Sequence, residues 1–161
     1  MRSATGLALL VVATFIVGAA AAPTANAAPP DDACSLLTDA QVSTALSVSV
    51  GPGSHQIPTF KKTCTWNATG DVAKGAKNVT LMLEGLDAYQ AGKVTRQMKT
   101  MSVTPASGIG DDAYYSAMGS NVGLIVKKGK VAFKIAVYGT LPIEKKRAME
   151  KTLAQQVVSK L

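Results

Sequence analysis

The amino-acid sequence predicts an α+β fold, an antiparallel sheet of about five strands with N-terminal, central and C-terminal helices packed on it. Three observations point there. Apolar residues recur at every second position in several segments, the pattern of half-buried strands. Those segments fall into two groups, each bounded by stretches whose apolar residues recur at helical spacing. Most links within a group are too short for a parallel crossover, which takes a dozen or more residues.

The first 27 residues stand apart from this pattern. Arg2 supplies a positive start, Leu7 to Ala22 an unbroken apolar run, and Pro23 to Ala27 a helix-breaking stretch ending in the small-x-small sequence Ala25-Asn26-Ala27. That order is expected of a cleavable secretory signal peptide. The run is short for a membrane span and lacks a basic flank on its far side. The expected organisation is a signal peptide at 1–27, a short Pro-rich tether at 28–33 and one domain at 34–161. Only one unit of the formal charge of +7 goes with the signal segment, so the exported part stays strongly basic.

Within the domain, Thr38 is placed as a helix N-cap, with Gln41 three residues on to complete a capping box and Leu37 positioned to staple against Val42. This helix is expected to end near Ser47, before the breaker Gly51-Pro52-Gly53-Ser54. Strand-like residues follow from Thr59 to Asn67, and Val79, Leu81 and Leu83 alternate with polar neighbours in Asn78 to Glu84. Ala68 to Lys77 joins them as a loose hairpin connection. Asp87 to Thr100 has helical spacing at Tyr89, Val94 and Met98, with Asp87 as its cap. Strands return at Ala113 to Met118, Val122 to Val126 and Val131 to Tyr138, the last two joined by the tip Lys127-Lys128-Gly129-Lys130. Pro142 then opens a helix with Met149, Leu153, Val157 and Leu161 on one face and Lys145, Lys146, Lys151, Gln155 and Lys160 on the other.

Both cysteines, Cys34 and Cys64, lie in the exported part, where an oxidising compartment lets thiols pair. Two cysteines allow one connectivity. A lipid-modified cysteine and a catalytic thiol are the alternatives for Cys34. Lipidation wants Leu-x-small-Cys directly after the apolar run, whereas Cys34 follows Asp31-Asp32-Ala33.

Cys34-Ser35-Leu36-Leu37-Thr38 before a short helix, then Cys64-x-Trp66, then Gly110-Asp111-Asp112-Ala113-Tyr114 ahead of a basic hairpin, together resemble a family of exported actinobacterial proteins and lipoproteins of unknown function. The resemblance spans most of the chain after the signal segment. It implies an extracytoplasmic domain with a Cys34–Cys64 bridge, and it brings no catalytic residues with it. Members are often lipid-anchored; the missing lipobox is a departure. The element order is also similar to the PsbP-like fold of some exported mycobacterial lipoproteins, an analogy of architecture without function.

Chemistry is sparse. His55 is the only histidine and lies in a loop, where a solvated side chain is expected. No metal, cofactor or catalytic set is expected, because zinc takes about four N, S or O ligands and a disulfide withholds the sulfurs. Serines occur without a Gly-x-Ser-x-Gly elbow, and Gly108-Ile109-Gly110 precedes a strand rather than a phosphate-binding helix. Asp111 and Asp112 are the nearest approach to a carboxylate pair, though neighbours on a strand face opposite ways.

The basic residues carry more functional content. Lys127, Lys128, Lys130 and Lys134 gather on the last hairpin, and Lys145, Lys146 and Arg147 open the last helix. Outside the cytoplasm such a surface meets anionic lipid, wall polymer or another exported protein. Nucleic acid is not expected, since no aromatic residues interleave with the lysines. Met82, Met98, Met101 and Met118 could line a place for an apolar ligand between helix and sheet. The expected function is a secreted, non-enzymatic binding or interaction domain of the cell envelope for an apolar or anionic ligand. The alternatives are a small hydrolase using Asp111 or Asp112, and an inhibitor of another exported protein that presents an exposed apolar or basic loop.

Overall fold

A computed structural model of the chain describes residues 29–70, 75–98 and 101–161. The segment expected to be the signal peptide lies outside the described residues, as does part of the hairpin connection expected at 68–77.

A short 3-10 turn (Ala33–Ser35) leads into α1 (Asp39–Leu46), followed by β1 (Thr63–Asn67), β2 (Ala76–Glu84), α2 (Leu86–Met98), β3 (Ser102–Pro105), β4 (Asp112–Met118), β5 (Asn121–Lys128), β6 (Val131–Gly139) and α3 (Ile143–Val158). The strands form one antiparallel sheet in the order β1-β2-β6-β5-β4-β3. The sheet therefore has six strands where about five are expected. The additional one, β3, is a short edge strand ending in Pro105, too brief and too polar to show alternation. Proline cannot donate to a ladder, so an edge is where it fits.

One face of the sheet carries the main core. Leu81, Leu124, Phe133, Ile135 and Val137 point into it and meet Leu153, Ala154 and Val157 of α3 and Val42 and Leu46 of α1. α1 begins as the sequence implies: Gln41 N–H donates to Thr38 Oγ1 at 3.2 Å and Thr38 N–H to Gln41 Oε1 at 2.9 Å. Its first residue, Asp39, then joins three segments, because Oδ1 accepts from Trp66 Nε1 at 2.9 Å and from Gly53 N–H at 3.1 Å. Trp66 is fully buried. A Cβ at Gly53 would stand 2.5 Å from the indole nitrogen, so the close approach needs glycine. The Cys34–Cys64 disulfide ties the 3-10 turn to β1 across 30 residues of sequence.

α3 departs from the helix face expected of it. Lys146 is buried rather than exposed, and Glu150 beside it is buried too. The reason lies in the sheet: the β5–β6 ladder ends at Leu124↔Ile135, while β6 continues along β2 to Gly139. Where the two strands part, Glu150 Oε1 accepts the Val137 N–H at 3.0 Å. Lys146 runs its stem under cover and donates from Nζ to the Ser120 carbonyl at 2.8 Å. Arg147 stacks its guanidinium 5.1 Å from the centre of the Tyr115 ring.

Among the described residues, the opposite face is covered only at one end. There α2 lays Leu86 and Tyr89 over Tyr114, Ile125 and Ala132, with Val103 alongside. Asp87 lies inside the first turn of α2 rather than capping it, since the helix starts at Leu86. Val94, expected on the inner face, is exposed: Lys93 just before it is the residue that faces the sheet, reaching Asp112 at 2.9 Å and lying 5.7 Å from the centre of the Tyr114 ring, and Val94 falls a further step round the helix.

Candidate functional site: the uncovered face of the sheet

Cross-strand register decides which side chains share the exposed part of this second face. Met82 pairs with Lys134, Thr80 with Ala136 and Asn78 with Tyr138 across β2–β6. Ser116 pairs with Gly123 and Met118 with Asn121 across β4–β5. Directly opposed residues point the same way. Two adjoining hollows result, one of about 140 Å³ bordered by Met101, Ser116, Met118, Gly123 and Lys134, the other of about 90 Å³ bordered by Thr80 and Met82. Lys134, Ala136 and Tyr138 line both, so they form one groove. Met118 is 54% exposed and Tyr138 38%, so the apolar lining of the groove is open to solvent.

The floor is flat because Gly123 and Ala136 leave room. A Cβ at Gly123 would lie 2.8 Å from Lys134 Cε, which shows the lysine stem resting across the glycine. No carboxylate pairs with Lys134 among the described residues. Two of the polar atoms at the margins are occupied locally, Ser116 Oγ 3.8 Å from Met101 Sδ and Thr80 Oγ1 3.3 Å from Thr65 Oγ1, while Asn121 also borders the larger hollow. The groove thus presents one cation amid thioethers, a methyl group and a tyrosine ring.

Beneath this region, on the other side of the sheet, sits Glu150. Burial pushes its carboxyl up to about 7, against the pull of the Val137 N–H and the positive charges of Lys146, Lys134 and Arg147. Its second oxygen, Oε2, has no hydrogen-bond partner, as is also true of Arg147 Nε.

The basic residues singled out in the sequence do not form a single surface. Lys134 enters the groove, Lys146 is buried, and Arg147 is partly covered by Tyr115 and pairs with Glu144 at 3.2 Å. Lys128 pairs with Asp111 at 3.1 Å, leaving Lys130 and Lys145 exposed and Lys127 half-buried. The two aspartates are likewise separated. Asp111 binds Gly129 N–H at 2.7 Å across the hairpin, and that hydrogen bond, with Lys128, holds its carboxyl below the usual carboxylate range. Asp112 takes Lys93 Nζ at 2.9 Å and the Tyr89 hydroxyl at 2.7 Å, and the same contacts hold its carboxyl below the usual range. Both serve as fixed anions in structural pairs. A proton-shuttling couple is not built.

His55 is half-buried instead of solvated, with Nδ1 2.9 Å from the Thr63 carbonyl and Nε2 3.4 Å from Asp32 Oδ1. A larger hollow of about 250 Å³ lies between α1 and α3, lined by Ala40, Gln41, Thr44, Ala45, Thr152 and Gln156, but it offers no charged group. Gln41 and Gln156 already bond across it at 3.0 Å.

Comparison with family models, with curated proteins and with solved structures returned no match. The disulfide itself points to an oxidising, extracytoplasmic setting. Among the described residues no helix is long and apolar enough to cross a membrane.

Proposed function

We propose that the chain is a secreted, non-enzymatic binding domain of the cell envelope whose ligand is an anionic amphiphile held on the uncovered sheet face. The acidic group pairs with Lys134, and the apolar part lies over Met82, Met101, Met118, Ala136 and Tyr138. The observation that carries this reading is a lysine in the middle of an apolar groove with no salt-bridge partner among the described residues. Enclosed drug-sized sites run to several hundred Å³, and these hollows are smaller. A single acyl chain lying along the sheet suits them better than an engulfed ligand.

Titration with a long-chain fatty acid tests the reading, with the matching monoacylglycerol as the neutral comparison. A charge-assisted hydrogen bond is worth about 1.5–3 kcal/mol, so Lys134→Met should weaken fatty-acid binding roughly 10- to 100-fold. Met118→Glu should weaken it further and Lys145→Ala should not change it. Equal affinity for the neutral lipid, or an unaffected Lys134→Met variant, would remove the basis for the proposal.

One observation favours a second reading, an interaction loop of the kind an inhibitor presents. Ile57 and Phe60 are 60% and 49% exposed on a turn closed by Phe60 N–H to the Ile57 carbonyl at 2.9 Å. Capture of a partner from culture filtrate by the wild type but not by an Ile57→Ser/Phe60→Ser variant would support it; equal capture by both would dismiss it.

A further inference from the structure

Ligand-type side chains also gather away from the groove, around the disulfide. Asp32 Oδ1, Cys34 Sγ and a ring nitrogen of His55 all lie within 4.8 Å of one another, and Cys64, bonded to Cys34, adds a second sulfur. His55 Nδ1 is 3.6 Å from Cys34 Sγ. On a tetrahedral zinc ion, with Zn–S of about 2.3 Å and Zn–N of about 2.0 Å, a sulfur and a nitrogen stand about 3.5 Å apart. The imidazole is therefore already placed at ligand spacing from the sulfur. Its other nitrogen faces Asp32 at 3.4 Å, the position from which a carboxylate orients a metal-bound histidine. Asp32 is itself fixed by accepting the Cys34 N–H at 2.8 Å.

We propose that the dithiol form of the chain binds one thiophilic divalent ion, Zn²⁺, through Cys34, Cys64 and His55 Nδ1, with Asp32 holding the imidazole from behind. The same junction is then closed by a disulfide or by a metal, never by both. Two molecules of a small thiol supply the two electrons that open the disulfide and become a small-molecule disulfide, while each cysteine sulfur gains a proton. Zinc binding releases those two protons to solvent as the thiols become thiolates. His55 moves its remaining proton from Nδ1 to Nε2, where Asp32 accepts it, and the Thr63 carbonyl gives up its present donor. In reverse, a small-molecule disulfide takes two electrons from the thiolates and the ion leaves hydrated. Cys64 is fully buried while His55 and Asp32 keep side chains 20% and 30% exposed, so the ion enters from the histidine side.

The test uses the whole exported chain reduced with a phosphine in the absence of oxygen, with Co²⁺ as the spectroscopic probe. One equivalent of Co²⁺ should give thiolate charge-transfer bands and the ligand-field spectrum of a tetrahedral ion, lost on adding Zn²⁺. The oxidised chain should give neither. In the dithiol state, His55→Ala should weaken binding at least 10-fold and Asp32→Asn 10- to 100-fold. Circular dichroism covers the case in which reduction unfolds the chain, since Zn²⁺ should then restore the folded spectrum of the wild type but not of His55→Ala. Absence of stoichiometric binding, or binding that His55→Ala leaves unchanged and two thiols alone explain, would overturn the proposal.

Discussion

Replacing Glu150 by glutamine should flatten the dependence of stability on pH. Burial raises the Glu150 carboxyl from 4.5 to about 7, so between those values the folded chain keeps a proton that the unfolded chain has released. The stabilisation is complete below the unfolded value and is lost as pH rises through the folded one. A difference of that size corresponds to about 3 kcal/mol. Wild type should therefore lose about 2–3 kcal/mol between pH 5 and pH 8 and change little above that range. Asp111 and Asp112, whose values are lowered, act with the opposite sign and lose their contribution in more acid solution, outside this window. Glutamine keeps an acceptor for the Val137 N–H, which Glu150 now serves at 3.0 Å, and cannot ionise. Trp66, the only tryptophan and fully buried, reports urea unfolding by fluorescence at each pH. A wild-type midpoint that stays flat from pH 5 to 8, or a Glu150→Gln variant that keeps the wild-type slope, would refute the reasoning.

Three other substitutions bear on the scaffold. Asp39→Ala leaves the Trp66 indole and the Gly53 N–H without their shared acceptor and should cost about 1–3 kcal/mol in urea unfolding. Gly110→Ala should cost more than about 1 kcal/mol, because φ is +59° and the added Cβ would stand 2.5 Å from the Lys127 carbonyl oxygen; its thermal midpoint should fall while that of Gly119→Ala, which meets no neighbour, falls less. Replacing both cysteines by serine frees a loop spanning a sequence separation of 30 and should lower stability by about 3–4 kcal/mol, read from the shift in urea midpoint.

Local signals explain which parts of the fold were legible in the sequence. The Thr38–Gln41 capping box, the alternation of Val79, Leu81 and Leu83, and that of Phe133, Ile135 and Val137 depend on neighbours a few residues away, and they appear as expected. Lys146 does not, because its burial, with that of Glu150 beside it, depends on where β5 leaves β6, a property of register that no helical pattern contains. Val94 has the spacing of a core residue, but the helix turns Lys93 rather than Val94 toward Asp112 and the Tyr114 ring. β3 is too short to carry a periodic signal.

The groove follows the same division. Met82, Met98, Met101 and Met118 are expected as lining between helix and sheet; Met82, Met101 and Met118 border the open face instead, the Met98 side chain lies outside the described residues, and Lys134 is expected as part of a basic hairpin. Their meeting could not be read, since it requires β6 to lie between β2 and β5 so that a lysine among apolar alternating residues falls beside methionines distant in sequence. His55, expected to be solvated, is half-buried for a related reason. Its contact with the disulfide comes from the pairing of Ser54 with Thr65, which folds the loop back onto β1.

The central claim is that an anionic amphiphile occupies the uncovered sheet face. Methyl-labelled methionine spectra of residues 28–161, recorded while a fatty acid is added, test it most directly. The resonances of Met82, Met101 and Met118 should move together and saturate, while Met149, packed against the core on the opposite face, stays in place. Unmoved groove resonances at saturating lipid, or shifts centred on Met149, would contradict the account.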